Sequence, residues 1–144
     1  MKGPIQSVEV SYLVHATEDP LILAKAVSDL LALDALQEEE KLEGHFGNPI
    51  IRVRCHLTGE EATAAVERIA VRLPAQMRDK LEREMGELVD EHSALYLRFD
   101  KQCLVGGTLE EGTGDSIRFK VKPRGFLRRE GASEFYSKVL LGGS

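Results

Sequence analysis

Cysteine is scarce in this 144-residue chain: Cys55 and Cys103 are too few for a disulfide framework. No run approaches the roughly 20 apolar residues of a membrane-spanning helix, and the N-terminus lacks the apolar region of a secretion signal. The P-loop, the dinucleotide-binding glycine fingerprint and the nucleophile elbow are all missing. His15, His45, His56 and His92 are scattered, and none stands at metal-ligand spacing from the cysteines. No repeat, low-complexity segment or linker breaks the chain. The expectation is a cytoplasmic protein without membrane segment, metal, cofactor or catalytic apparatus.

What remains is ordinary in amount and unusual in arrangement. The chain fits one domain, residues 1–144, long enough to bury about 68–70% of its unfolded surface. Acids outnumber bases 24 to 19, for a net charge of −5. That balance argues against a protein that coats nucleic acid with its whole surface, but a local basic patch depends on where charges sit.

The chain is organised around Gly44 to Leu57. Gly47 suits positive φ, and Asn48 before Pro49 is pushed out of the helical region. From there Ile51, Val53, Cys55 and Leu57 point one way, while Arg52, Arg54 and His56 point the other. This predicts a strand with an apolar face and a basic face. Leu95, Leu97 and Phe99 alternate in the same way with Tyr96 and Arg98. Ile117, Phe119 and Val121 alternate with Arg118, Lys120 and Lys122, and Arg124, Arg128 and Arg129 carry the charge onward.

Ile5 to Ala16 reads as a further strand, with Val8, Val10, Tyr12 and Val14 on one side. Thr17-Glu18-Asp19-Pro20 then starts a helix running to about Leu33, capped by Asp19 or Thr17 with Pro20 in the first turn. Leu36 to Glu43 reads as a short acidic strand that discourages pairing with other chains. Thr58-Gly59-Glu60-Glu61 matches a capping box. Two helices with one apolar stripe each follow, parted at Pro74. Asp100-Lys101-Gln102 reads as a polar bend and Cys103 to Leu109 as a weak strand with a bulge at Gly106-Gly107. On that reading both cysteines are buried thiols. Glu111 to Asp115 is a turn by composition, and a short helix around Phe135, Tyr136 and Val139 ends the chain. The order predicts an α+β fold, a mainly antiparallel sheet with helices packed on one face.

On the outward positions of the three best strands, Arg52, Arg54, Arg98, Arg118, Lys120, Lys122 and Arg124 face one acid, Asp100. A solvated face is the simpler account of any one strand. Three strands of matching sign suit a phosphate backbone instead, with arginine forks on phosphate oxygens and lysine as point charge. Tyr96, on the same parity, would stack a base, and Lys101 and Gln102 would donate to phosphate or ribose. An RNP-type aromatic signature is absent. This reading requires that no helix covers Arg54 and Lys120 and that no acid stands between them. The competing reading is a scaffold subunit docking through the polar face or the acidic Glu38–Glu43 edge.

Two motifs also resemble a known family. Gly47-Asn48-Pro49-Ile50-Ile51 leading into a strand, and Leu97-Arg98-Phe99-Asp100-Lys101-Gln102, are similar to the archaeal family of predicted exosome subunits or RNA-binding proteins. The Thr17-Glu18-Asp19-Pro20 helix start is similar too, and the match runs from the first strand to Lys122. The resemblance implies a compact α+β fold like that of the large-subunit ribosomal protein that binds 5S RNA. It also implies an RNA-linked role beside the exosome or other RNA-processing proteins, and a homodimer. Gly125 to Ser144 departs from the match.

Overall fold

A computed structural model of the chain describes residues 4–32, 37–43, 47–125 and 128–142. Strand β1 (Ile5–Val14) is followed by helix α1 (Pro20–Leu31), then β2 (Gln37–Glu43) and β3 (Pro49–Thr58). Helices α2 (Gly59–Arg72) and α3 (Ala75–Leu88) lead to β4 (Leu95–Phe99), α4 (Lys101–Val105), β5 (Ile117–Pro123) and α5 (Arg129–Leu141). The sheet has the order β2-β3-β1-β5-β4, and every neighbouring pair is antiparallel. Leu33 and Leu36, and Gly44 to Phe46 of the predicted turn, lie outside the described residues.

The period-two pattern decides which face is covered. Val8, Val10, Tyr12 and Val14 of β1 are buried with Val53, Cys55 and Leu57 of β3 and Ile117, Phe119 and Val121 of β5. Leu95, Leu97 and Phe99 of β4 complete this layer. Phe99 and Phe119 meet edge-to-face with centroids 5.3 Å apart, a geometry that adds about 0.5–1.5 kcal/mol to area burial. Against these side chains lie Leu23, Val27, Leu30 and Leu31 of α1, Ala62, Ala65, Val66 and Ile69 of α2, and Met77, Leu81 and Met85 of α3. Tyr136 brings α5 into the same core, its buried hydroxyl 2.6 Å from the Ser93 carbonyl and 2.9 Å from that of Val121. Besides its pairing with β3, edge strand β2 is anchored at its start by Gln37. Gln37 accepts from the Tyr12 hydroxyl at 2.7 Å and donates to the Ala24 carbonyl at 3.2 Å and the Ser28 hydroxyl at 3.3 Å.

Local signals hold at some helix starts and fail at others. Asp19 caps α1, accepting from the Leu21 N–H at 2.9 Å, with Pro20 in the first turn as expected. Strand β1 stops at Val14 and α1 at Leu31, where Ala32 turns left-handed. The capping box at Thr58 does not form. Thr58 is still paired with Ser7 as the last residue of β3, and the chain enters α2 through Gly59 at φ +59°.

The larger correction lies after β4. The expected bend and weak strand at residues 100–109 are a helix. Asp100 caps it by accepting from the Cys103 N–H at 2.9 Å, and Gly107 at φ +94° follows its end. Cys103 is therefore half-buried on a helix, whereas Cys55 is buried in β3. The chain then returns along the free side of β4. Asp100 donates to the Glu110 carbonyl at 2.9 Å, and Gly112 donates to the Arg98 carbonyl at 3.0 Å.

Gly112 permits that return. A Cβ there would stand 2.8 Å from the Phe99 carbonyl carbon and 2.5 Å from the Ser116 Cβ. Gly112→Ala is expected to lose about 1–3 kcal/mol of stability through overpacking, read by urea denaturation, whereas Gly131→Ala, with no atom near its Cβ, is expected to lose none.

Candidate nucleic-acid interface

Register across the sheet sorts the outward side chains into rows. Arg54 of β3 stands opposite Ser11 of β1, Ser11 opposite Arg118 of β5, and Arg118 opposite Arg98 of β4. Glu38 of β2 ends this row beside Arg54. The next row along the strands runs His56, Glu9, Lys120, Tyr96. Arg52 lies on the far side of the first row, opposite Glu40 and Leu13, and Lys122 lies beyond the second, opposite Ser7. Arg54, Arg98 and Arg118 are exposed, as are Glu9, His56 and Tyr96, so no described helix crosses this face. A trough of about 730 Å³ follows it, lined among others by Glu9, Ser11, Arg54, Tyr96, Arg118 and Lys120.

The condition that no acid stands between Arg54 and Lys120 is not met: Glu9 lies on β1 between their strands. Only the row Arg54, Ser11, Arg118, Arg98 is free of carboxylates between its cations, and Asp100, the one acid expected on the face, is a helix cap instead. β1 and β2 contribute Glu9, Glu38 and Glu40, and Glu9 stands directly beside Lys120. The only contact of these acids within ion-pair distance, among the described residues, is Arg52 to Glu40 at 3.7 Å. No carboxylate of the described residues comes within 4.0 Å of Arg54, Arg98 or Arg118. Six cations thus share the face with three acids, and the three arginines of one row are unneutralised there.

Tyr96 is held rather than loose. Its hydroxyl donates to Asp90 at 3.0 Å, and the Lys120 ammonium sits 5.8 Å from its ring centroid, leaving the residue 43% exposed. Partial burial and the Asp90 carboxylate raise the Tyr96 pKa. At Asp90 partial burial opposes ionisation, but the N–H groups of Ala94 and His92 and the Tyr96 hydroxyl outweigh it and hold the carboxyl below its usual value.

Lys101 and Gln102 do not join the face. Turning Asp100 into a helix cap carries both residues onto α4, which packs against α1. Gln102 is exposed there, and Lys101 is only 4% exposed. The Lys101 ammonium donates to Glu18 at 3.0 Å and to Asp115 at 2.8 Å, and the His15 Nε2 lies 2.9 Å from the same Asp115 oxygen. The ligand atoms of His15, Glu18 and Asp115 lie within 4.8 Å of one another, but their carboxylates converge on Lys101, which already supplies the positive charge. The cluster pins the β1–α1 turn to the loop before β5. Arg124 is exposed past the end of β5, its N–H donating to the Pro4 carbonyl at 2.9 Å.

Sequence reasoning missed Glu9 and Gln37, because neither the strand order nor the partner of an edge strand is written in local periodicity. It missed the buried Lys101 although Asp100, three residues before an amide it caps, carried a helix-start signal.

An antiparallel sheet covered by helices on one face and lined by an open arginine row on the other defines an open-faced α+β sandwich. The chain belongs to the family described as RNA binding, whose model matches residues 7–123. It is 30% identical over 141 residues to an RNA-binding protein of Pyrococcus abyssi, covering 92% of each chain. The solved structure of a DUF54 protein from Methanothermobacter thermautotrophicus is similar with a TM-score of 0.80 and 30% identity, over 96% of this chain and 99% of that one. A DUF54 protein from Sulfolobus solfataricus shares the fold with a TM-score of 0.72 at 21% identity, over 94% and 98%. These relatives are archaeal.

Two outcomes check the site. Lys101→Met leaves Glu18 and Asp115 facing each other without the ammonium, and is expected to cost about 3 kcal/mol in urea denaturation, the low end because Asp115 is part-exposed; its affinity for RNA should match the wild type. The depressed Asp90 pKa contributes stability that is present above the unfolded carboxylate value of about 4 and is lost as pH falls through the lower folded value. Melting curves of Asp90→Asn should therefore show lower stability at neutral pH and a shallower loss below about pH 4.

Proposed function

We propose that this protein binds RNA on the outer face of its sheet, with Arg54, Arg118 and Arg98 holding phosphates along one row. The observation that carries this reading is the direct pairing of Arg98 with Arg118 across β4 and β5, exposed and with no carboxylate of the described residues in reach. Like charges directly opposite destabilise a sheet, and a polyanion laid over them removes that cost. Arg52, Lys120 and Lys122 flank the row, and the fixed ring of Tyr96 offers a stacking surface for a base. Family membership and the name of the Pyrococcus relative point to the same ligand.

The role proposed is non-enzymatic: an accessory protein of cytoplasmic RNA processing, acting as a homodimer beside the exosome, as the motif resemblance implies. The exposed acidic edge from Glu38 to Glu43 is a surface that contacts with other RNA-processing proteins would use, rather than a second copy of the same charge.

Replacing Arg54, Arg98 and Arg118 together with alanine tests the reading. Each phosphate contact on a single strand contributes about 0.7 to the slope of log affinity against log salt. The triple variant should flatten that slope by about 2, with a melting temperature at low salt equal to or above the wild type. An unchanged slope in the folded variant rules out this face.

A further inference from the structure

Glu9 is the anomaly of the proposed interface. It lies on the central strand, in the middle of the face, with His56 on one side and Lys120 on the other. It is exposed, and no cation of the described residues stands within 4.0 Å of it. A carboxylate there repels a phosphate about 7 Å away by about 0.6 kcal/mol even in water. It is also an acceptor and nothing else. A ligand that gains from this position must bring hydrogen-bond donors to it; phosphate brings none, a ribose 2′-hydroxyl brings one, and only a base edge can bring two side by side.

The rows divide the face into two lanes. The arginine row and the Glu9 row are two residues apart along the strands, about 6.8 Å. A strand of RNA with its phosphates on the arginines can lay its bases on the side of Glu9, Lys120 and Tyr96, where the exposed Tyr96 ring offers a stacking surface. Among the four bases, guanine alone presents two adjacent donors, N1–H and the N2 amino group, on its pairing edge. Adenine and cytosine present one amino group next to an acceptor, and uracil one N–H between two acceptors. Two carboxylate oxygens match the guanine pair. In a duplex those donors are already used, so the base must be unpaired.

We propose that Glu9 selects an unpaired guanine in single-stranded RNA by accepting from its N1–H and N2 amino donors. Tyr96, two strands away in the same row with its hydroxyl fixed by Asp90, stacks a neighbouring base. The proposal rests on the RNA-binding reading above and adds the identity of the base.

The test measures affinity by fluorescence anisotropy for a short oligouridine with one central guanosine, and for the same strand with inosine, which lacks the N2 amino group, or adenosine. The wild type should prefer guanosine over adenosine by about tenfold or more, since a good bidentate contact discriminates by about 1–3 kcal/mol, with inosine between them. Glu9→Gln should lose the preference and keep or slightly gain affinity for plain oligouridine, with an unchanged melting temperature. If Glu9→Gln instead tightens all strands by one common factor, Glu9 merely repels phosphate and the proposal is overturned. Equal wild-type affinity for guanosine and adenosine, with the arginine-dependent salt slope intact, overturns base selection and leaves RNA binding standing. Absence of binding to every strand overturns both.

Discussion

Everything on the open face depends on β1 being hydrogen-bonded along both of its sides. Its pairing with β3 and with β5 fixes two registers at once, and a one-residue slip in either would send every side chain to the opposite face. Val8, Val10 and Tyr12 hold the registers by being buried on the face that α2 covers. Small or acidic residues on the other side, Ser7, Glu9 and Ser11, then become the spacers between cations from distant parts of the chain. Arg54 and Arg118 are 64 positions apart in sequence and share one neighbour because Ser11 lies between them.

The covered layer was legible because burial is written in period two and in helical stripes. Val53, Cys55 and Leu57, or Ile117, Phe119 and Val121, are enough to place a strand and its buried side. The α+β class and the one-sided helices follow from the same patterns. The face itself was half legible. Each strand announces its own outward residues, but nothing local says that β1 separates β3 from β5, so Glu9 entered unannounced. Lys101 was misread for another reason: a short helix of five residues carries too little periodicity to compete with a nearby glycine pair, and burial of a lysine is set by partners as remote as Glu18 and Asp115.

Stability and the proposed RNA binding pull against each other on this sheet. A protein selected for rigidity alone would place opposite charges at Arg98 and Arg118, as it does at Arg52 and Glu40. The deep side of the molecule holds its charges in the other manner, with Lys101 closed between two carboxylates and nearly dry. One cationic arrangement is satisfied internally and serves architecture. The other is left open to solvent.

The two rims of the sheet are finished differently, and this governs how copies of the molecule meet in concentrated solution. At one rim the backbone of Glu110 to Gly112 returns along the end of β4 and takes up the Arg98 carbonyl and the Asp100 amide. At the other, Gln37 to Glu43 keeps its backbone accessible but fences it with carboxylates. A strand-to-strand approach meets folded-back backbone at the end of the first rim and a row of carboxylates along the second, the kind of edge that resists pairing.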